Sequence, residues 1–321
     1  IAMAGAVYAA WVAVNYADAD TGIAVGGLSG LLEHEAVVPK LNIMPDFGNW
    51  MSFLPLLIIP VAVQWWSVWY PGAEPGGGGY IAQKMLSAKD EKNAIGATLL
   101  FNFMHYAIRP WPWIVVALAS LLVFPDLDDI RQNFPGISEA YLADDVAYPA
   151  MISKLGPGML GVVIASIIAA YMSTIGTHLN WGSSYLVNDL YSRFVNKGAD
   201  QKHLVMVGRV CTVVLMVFAG VLALQLKSAT QTFDLLLLSG AGTGGIYLLR
   251  WFWWRINAIT EIVAMLAAIV IGMVLVFAVD PASLALDFGG TEEAPAISLD
   301  GWTVRLLLAV GLNTIVWLVT T

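Results

Sequence analysis

The stretch Gly158–Phe194, GMLGVVIASIIAAYMSTIGTHLNWGSSYLVNDLYSRF, is a long apolar run in which small and polar residues recur at spacings of three and four. On a helix this spacing places them on one face, in the order Ser166, Ala170, Ser173, Thr177, Asn180 and Ser184. Large aliphatic side chains fall mostly on other faces. Because a bilayer core needs about 20 apolar residues per helix, the stretch predicts a membrane-crossing helix with one small and polar stripe.

Two interpretations fit this stripe. Small residues let helices approach closely in lipid, so the stripe is explained by helix packing. The other interpretation centres on Ser173 and Thr174, whose adjacent hydroxyls supply oxygens to a hard cation such as sodium, with the carbonyl of Ala170 as a third ligand. Such a site also needs ligands from another helix, and the spacing alone does not choose between the two.

The rest of the chain has the composition of a polytopic membrane protein. Of its 321 residues, 59% are hydrophobic and 12% are charged, which leaves too little polar surface for a soluble domain. The apolar segments predict an all-α bundle with about eight transmembrane segments, two of them partial: 1–17, 51–86, 95–124, 156–191, 204–226, 233–254, 256–279 and 304–321. Since the chain opens and stops inside apolar segments, we expect an internal fragment of a longer protein.

The loops between these segments alternate in charge. One set is acidic, and the other carries nine of the fifteen Lys and Arg residues: Lys84, Lys89, Lys92, Arg193, Lys197, Lys202, Arg209, Arg250 and Arg255. By the positive-inside rule the basic loops are cytoplasmic. We therefore expect an integral membrane protein, of a bacterial inner (plasma) membrane, whose partner is the lipid bilayer and not a nucleic acid.

The motifs of common enzymes and metal sites do not occur in this sequence. HExxH, CxxC, a Walker lysine loop and GxSxG are all missing, although each supplies a specific chemistry where it occurs. The single cysteine, Cys211, excludes an intrachain disulfide. A membrane-embedded enzyme would have to rely on Glu74, His105 and Arg109, which form no recognised catalytic set, so we expect no enzymatic activity.

Three motifs, in order along the chain, resemble the sodium:solute symporter family. The helix quoted above has the family's Gly-(Leu)-Leu-Gly start as Gly158-Met159-Leu160-Gly161, then Ala169-Ala170 with Ser173-Thr174, then Asn180, and ends in Asp189-Leu190-Tyr191. YIAQKMLSAKDEKNA, at Tyr80–Ala94, is similar to the family's Gln-Arg-x-Leu-Ala-Ala-Lys stretch, with Lys84 in place of Arg. LLRWFWWRINAITEI, at Leu248–Ile262, looks like one branch of the same family. The resemblance covers about residues 54–279.

The resemblance implies a leucine-transporter-type fold, which is built from two five-helix inverted repeats. In that fold, residues 1–17 are the end of core helix 5, 18–50 an extracellular loop, 51–254 the second inverted repeat with core helices 6–10, and 255–321 accessory transmembrane helices. The family's sodium site implies that the carbonyl of Ala170 and the hydroxyls of Ser173 and Thr174 bind the ion. Its other ligands lie on helix 1, which we expect to be outside this chain.

The activity implied by the resemblance is sodium-coupled secondary active symport of a small organic solute by alternating access. Two other readings of the same fold stay open. One is a proton-coupled carrier in which Glu74 titrates, and the other is a solute-sensing receptor. A dependence of uptake on pH in place of sodium would identify the first.

The stretch Ser67–Met85, SVWYPGAEPGGGGYIAQKM, predicts a discontinuous helix 6. Pro71 and Pro75 remove backbone donors, and the glycines adopt conformations that other residues resist. Non-helical backbone at membrane depth survives only beside protein or a wet cavity, so we expect solute contacts from Tyr70, Glu74, Gly76, Gly77, Gly78 and Gly79, with Tyr80 as a gate. The alternative is a hinge without solute contact. Gly78 and Gly79 stand where many sugar-carrying relatives have polar side chains, so a glycoside-type pocket is not implied.

Arg109 lies well inside the predicted helix 7, in NFMHYAIRPWPWI at Asn102–Ile114. Charges within a membrane are costly and usually functional, so Arg109 is a predicted solute-binding or gating residue. Two alternatives stay open. Arg109 satisfies carbonyls freed by Pro110 and Pro112, or it pairs with Glu74.

Overall fold

The computed structural model describes residues 2–18, 21–42, 44–45, 47–48, 53–67, 84–288 and 297–321. The chain divides into two units: Ile1–Pro39 with Phe103–Ser228, and Lys40–Asn102 with Ala229–Thr321. The described residues are mostly helical, with one short antiparallel pair, β1 (Leu286–Phe288) and β2 (Ile297–Leu299). The predicted all-α membrane class is confirmed at this level.

In chain order the helices are α1 (Ala2–Val14), α2 (Gly27–Glu33), α3 (Glu91–Asn102), α4 (Pro110–Val123), α5 (Leu127–Asn133), α6 (Ala147–Ile152), α7 (Pro157–Tyr185), α8 (Gln201–Ala223), α9 (Ala229–Ser239), α10 (Gly244–Leu249), α11 (Ala258–Phe277) and α12 (Gly301–Thr320). Stretches of π-helix occur at Leu54–Ile58, Pro60–Gln64, Phe103–Ile108 and Leu186–Val195. A short turn of α-helix, Trp65–Ser67, follows the second of these. Short 3₁₀ helices lie at Val38–Leu41, Glu139–Tyr141, Asp144–Val146 and Pro281–Leu284.

Among the described residues, five helical stretches are long and apolar enough to cross a membrane: Glu91–Val123, Pro157–Val195, Gln201–Ala223, Ala258–Phe277 and Gly301–Thr320. Each overlaps a segment predicted from the sequence. Ala2–Val14 and Leu54–Ser67 are apolar but shorter. The total of about eight segments and the inverted repeat therefore stay predictions, and the predicted break at residues 71–80 lies outside the described residues.

The residues at the start of the long helix α7 favour a helix N-terminus. Gly156 precedes the helix in an extended conformation, and Pro157 occupies its first turn, where the fixed φ of proline suits a helix and its missing N–H leaves no bond unmade. The helix then continues without a break into π-helix that ends before Asn196. The prediction of one membrane-crossing segment over 156–191 is confirmed as a continuous helical stretch.

In the first unit, α1 packs on α4 and α7 through small side chains. Ala9, Ala13 and Ala119 are buried in its core. A Cβ placed on Gly5 would lie 3.3 Å from Val163 Cγ2 and 3.6 Å from Ser166 Oγ. The absence of a side chain at Gly5 therefore lets α1 approach the start of the α7 stripe closely, as is typical of helix pairs in membranes.

α7 contacts α8 through Ser183, which lies next to Ser184 of the small and polar stripe. Ser183 Oγ donates a hydrogen bond of 2.8 Å to the carbonyl of Gly208, and Ser183 is buried. The remaining faces of α8 expose large apolar side chains such as Val217 and Phe218. An apolar surface of this kind suits a helix that faces lipid.

In the second unit, α11 packs between α9 and α12. Leu238 and Leu306 are fully buried there. A Cβ on Gly272 would lie 3.0 Å from the backbone of Leu238, so α9 and α11 touch nearly backbone to backbone. Close approach again depends on a small residue at the contact.

The segment predicted as one helix over 233–254 is broken in the structure, which corrects that prediction. Between α9 and α10 the backbone turns at Gly242, whose φ of 81° suits a residue without a Cβ. The N–H of Gly242 donates to the carbonyl of Ser67 over 2.7 Å, and Asn313 Nδ2 donates to the carbonyl of Ala241 over 2.8 Å. These distant partners satisfy backbone groups that the helix would otherwise have paired.

Candidate functional site

Of the residues predicted to contact a solute, Arg109 is described by the structure. The other seven lie outside the described residues: Tyr70, Glu74, Gly76, Gly77, Gly78, Gly79 and Tyr80. The geometry that follows is therefore that of the predicted ion ligands on α7 and of Arg109.

The three predicted ion ligands lie together on one turn of α7. Thr174 Oγ1 donates a hydrogen bond of 3.0 Å to the carbonyl of Ala170, so two of the predicted oxygens are neighbours. Ser173 precedes Thr174, and the spacing of three and four from Ala170 keeps all three on one side of the helix. All three residues are exposed among the described parts of the chain.

The hydroxyl of Ser173 differs from its neighbours because no described residue forms a hydrogen bond with it. On the same helix, Ser166 donates to the carbonyl of Val163 and Thr177 donates to the carbonyl of Ser173 over 2.9 Å. The carbonyl of Ser173 is therefore engaged, whereas its side-chain oxygen keeps both lone pairs available. We did not predict from the sequence that Thr177 contacts the ion ligands. Its position four residues after Ser173 could have indicated it, because Ser and Thr hydroxyls in a helix often donate to the carbonyl four residues earlier.

The small and polar stripe of α7 has two parts with different surroundings. Ser166 is buried against α1 near Gly5, so packing explains this end. Further along the helix, Ala170, Ser173, Thr174 and Thr177 are exposed. Helix packing seen among the described residues therefore does not account for the part of the stripe that carries the hydroxyl pair.

The oxygens at this position suit a hard cation that tolerates neutral ligands. Hydroxyl and carbonyl oxygens are the ligands that such ions prefer, whereas transition metals favour imidazole and thiolate. Within the part of the chain that the structure describes, no group of three or more His, Cys, Asp or Glu residues is placed to hold a metal ion. The donor set at Ala170, Ser173 and Thr174 therefore fits sodium chemistry.

Arg109 is held by the π-helical turn that precedes α4. Its backbone N–H donates to the carbonyl of Met104 over 2.9 Å, a step of five residues that is typical of π-helix. Its Nη1 lies 3.2 Å from His105 Nδ1. Pro110 follows at the first position of α4. The side chain of Arg109 is exposed in the described structure.

The Asp189-Leu190-Tyr191 motif lies in the π-helical end of the α7 helix. Asp189 Oδ1 is 3.5 Å from Arg193 Nη2, with both side chains more than half exposed. Such a surface pair contributes little to stability. Tyr191 Oη lies 2.7 Å from His203 Nε2 on α8, so the tyrosine of the motif links the two helices.

A comparison with protein families finds one match over most of the chain. The model of the sodium:solute symporter family matches residues 16–272. These residues include α7 with its hydroxyl pair, the π-helical turn at Arg109 and the break between α9 and α10.

Individual relatives are similar to this chain at lower coverage. A sodium/glucose cotransporter of Vibrio parahaemolyticus is 27% identical over 209 residues, which are 62% of this chain and 38% of that protein. The sodium/glucose cotransporter 4 of Homo sapiens is 33% identical over 163 residues, 48% of this chain and 23% of that protein. The sodium/myo-inositol cotransporter of Homo sapiens is 31% identical over 160 residues, 48% of this chain and 21% of that protein. The chain thus spans less than two fifths of the length of these relatives.

Proposed function

This chain belongs to the sodium:solute symporter family, and on that premise we propose that the protein containing it couples the inward movement of sodium to the uptake of a small organic solute. Transport of this kind involves no covalent chemistry, so we propose a carrier and not an enzyme. The relatives named above are cotransporters of sodium with glucose or myo-inositol. Their names supply a starting panel of solutes and nothing more specific.

The observation that carries the proposal is the oxygen cluster on α7. Thr174 Oγ1 and the carbonyl of Ala170 are 3.0 Å apart, and the hydroxyl of Ser173 has no hydrogen-bond partner among the described residues. We propose that these three oxygens bind the coupling sodium. For both oxygens to bind a cation, the Thr174 hydroxyl would keep its proton and turn it away from the carbonyl of Ala170. Further ligands would come from outside the described residues.

The coupling follows from two sites on one alternating-access protein. If sodium favours the conformation that binds the solute, the solute must favour sodium binding by the same factor. Carriers built from inverted repeats place both sites near the middle of the membrane, at broken helices. We propose that residues 51–254 form the second repeat, after the end of core helix 5 at 1–17 and a loop at 18–50. Accessory helices at 255–321 follow, and the basic loops are cytoplasmic.

The test is uptake of labelled glucose, myo-inositol and other small solutes by the full-length protein in proteoliposomes. An inward sodium gradient should drive accumulation of at least one solute above its equilibrium level. Collapse of that gradient with a sodium ionophore should abolish the accumulation. Accumulation driven by a proton gradient in the absence of sodium would contradict sodium coupling and would favour the proton-coupled carrier. Sodium-dependent solute binding without accumulation would contradict transport and would favour a receptor.

A second measurement tests the ion site without knowledge of the solute. Binding of ²²Na⁺ to the purified protein should be saturable and should weaken when Ser173 and Thr174 are both replaced by Ala. Ser184 provides a matched control, since it is an exposed serine of the same helix whose hydroxyl also has no described hydrogen-bond partner. Ser184→Ala should bind sodium as the parent does. Equal weakening in both variants would point to a general effect on α7 and would contradict the proposed ligands.

A further inference from the structure

Arg109 is the only Asp, Glu, Lys or Arg between Lys92 and Asp126. It lies within the membrane-crossing stretch Glu91–Val123. Fourteen residues of α4 separate Arg109 from the end of that stretch, and at 1.5 Å per residue they measure about 21 Å. The hydrocarbon core is about 30 Å thick, so a stretch that ends at one face of the core places Arg109 about 9 Å from the other face. By this count the backbone of Arg109 lies within the apolar core, where a charge is costly.

The local structure fixes the direction of this side chain. The turn of π-helix Phe103–Ile108 ends at Arg109 and Pro110 begins α4; such turns are frequent at functional sites. Arginine carries five N–H donors and accepts no hydrogen bond. His105 Nδ1, at 3.2 Å from Arg109 Nη1, is therefore the acceptor of this hydrogen bond.

His105 satisfies one donor of Arg109 but does not balance its charge. Ion pairs between described residues join Arg131 to Asp128 and Glu139, Arg193 to Asp189, and Arg250 to Glu261. None of them includes Arg109. An arginine within the membrane that has no opposite charge beside it among the described residues retains the desolvation cost of its charge. A planar carboxylate is the ligand that best matches the remaining fork of N–H donors.

We propose that Arg109, oriented by His105, binds the carboxylate of an anionic solute, so that the transported class is a polyhydroxylated carboxylate such as a sugar acid. This inference rests on the proposed function. The proposed solute class differs from glucose and myo-inositol, the solutes in the names of the relatives, which are uncharged. In this scheme the solute has hydroxyl groups like those of glucose and myo-inositol, and Arg109 adds selectivity for its negative group.

The inference is tested with labelled gluconate, galacturonate and glucose in proteoliposomes that contain the full-length protein and carry an inward sodium gradient. At least one of the two acids should be accumulated more strongly than glucose. Arg109→Gln should lower that uptake at least tenfold, and Arg109→Lys, which keeps the charge but loses the planar fork, should lower it less. Ser184→Ala should leave uptake unchanged. Binding of ²²Na⁺ should be retained in both Arg109 variants, which shows that they are folded.

Two results would overturn the inference. One is uptake of an acid that Arg109→Gln does not alter, and the other is no uptake of either acid, whether or not glucose is carried. In the second case the proposed sodium coupling is judged separately by ²²Na⁺ binding, which requires no solute. If Glu74 is the counter-ion of Arg109 instead, neither acid is carried, and Glu74→Gln restores the thermal stability that Arg109→Gln loses.

Discussion

Replacement of Gly242 by Ala tests whether the break between α9 and α10 is held as the structure shows. The φ of Gly242 is 81°, a conformation that costs an L-residue about 1–2 kcal/mol. A Cβ added there would lie 2.9 Å from Asn313 Cβ, 3.0 Å from the carbonyl oxygen of Val310 and 3.1 Å from Asn313 Nδ2. Because Asn313 is completely buried, it has little room to move away.

The magnitude follows from these two effects. Overpacking of a buried site adds about 1–3 kcal/mol, so Gly242→Ala should destabilise the protein by about 2–5 kcal/mol in total. At about 2–4 °C per kcal/mol for a unit of this size, the thermal unfolding midpoint should fall by at least about 4 °C. The assay is thermal unfolding of the full-length protein in detergent.

Gly311→Ala is the matched control. Gly311 lies on α12, two residues before Asn313, and nothing lies within 4 Å of the position its Cβ would occupy. Alanine should stabilise this helix by up to about 1 kcal/mol. If both variants unfold at the same temperature as the parent, Gly242 does not contact Asn313 as described. That result would contradict the break between α9 and α10.

Two further substitutions test contacts of the first unit. Ser183→Ala should lower the free energy of unfolding by about 1 kcal/mol, because it removes the 2.8 Å hydrogen bond to the carbonyl of Gly208. The loss is small because the hydrogen bond from Thr212 to that carbonyl remains. Equilibrium unfolding measures the change, and a loss above about 3 kcal/mol would contradict this expectation. Tyr148→Phe should be neutral or stabilising, because the buried hydroxyl of Tyr148 has no partner among the described residues and its ring packs on Trp113 at 4.8 Å. Burial raises the pKa of Tyr148 above its usual value of 10.0, so folding stability in the parent should fall as pH rises through about 10, and this fall should be smaller in Tyr148→Phe. A marked loss of stability in Tyr148→Phe at neutral pH would show that the hydroxyl has a partner.

The features that depend on local chemistry were predictable from the sequence. The helix from Pro157 onward follows from a long apolar run that begins with Gly156 and proline. The neighbouring positions of Ala170 and Thr174 follow from helical spacing alone. These predictions succeeded because helix periodicity brings residues together without reference to the rest of the chain.

The features that depend on distant partners were not predictable. The run from Gly240 to Gly245 is rich in glycine, but the break there also needs the carbonyl of Ser67 and the side chain of Asn313. Asn313 is separated from its acceptor Ala241 by 72 residues, so no local pattern reveals the pair. Likewise, the sequence does not show that the hydroxyl of Thr174 is engaged while that of Ser173 is not.

The measurement that tests the central claim most directly is the affinity of the purified protein for ²²Na⁺ before and after loss of the hydroxyl pair on α7. Ser173→Ala with Thr174→Ala should weaken sodium binding at least tenfold, or about 1.4 kcal/mol, while replacement of each by alanine favours the helix. Thr174→Ser should retain most of the affinity, and Thr174→Val should lose it at nearly constant shape. Unchanged sodium affinity in a well-folded double variant would contradict the account.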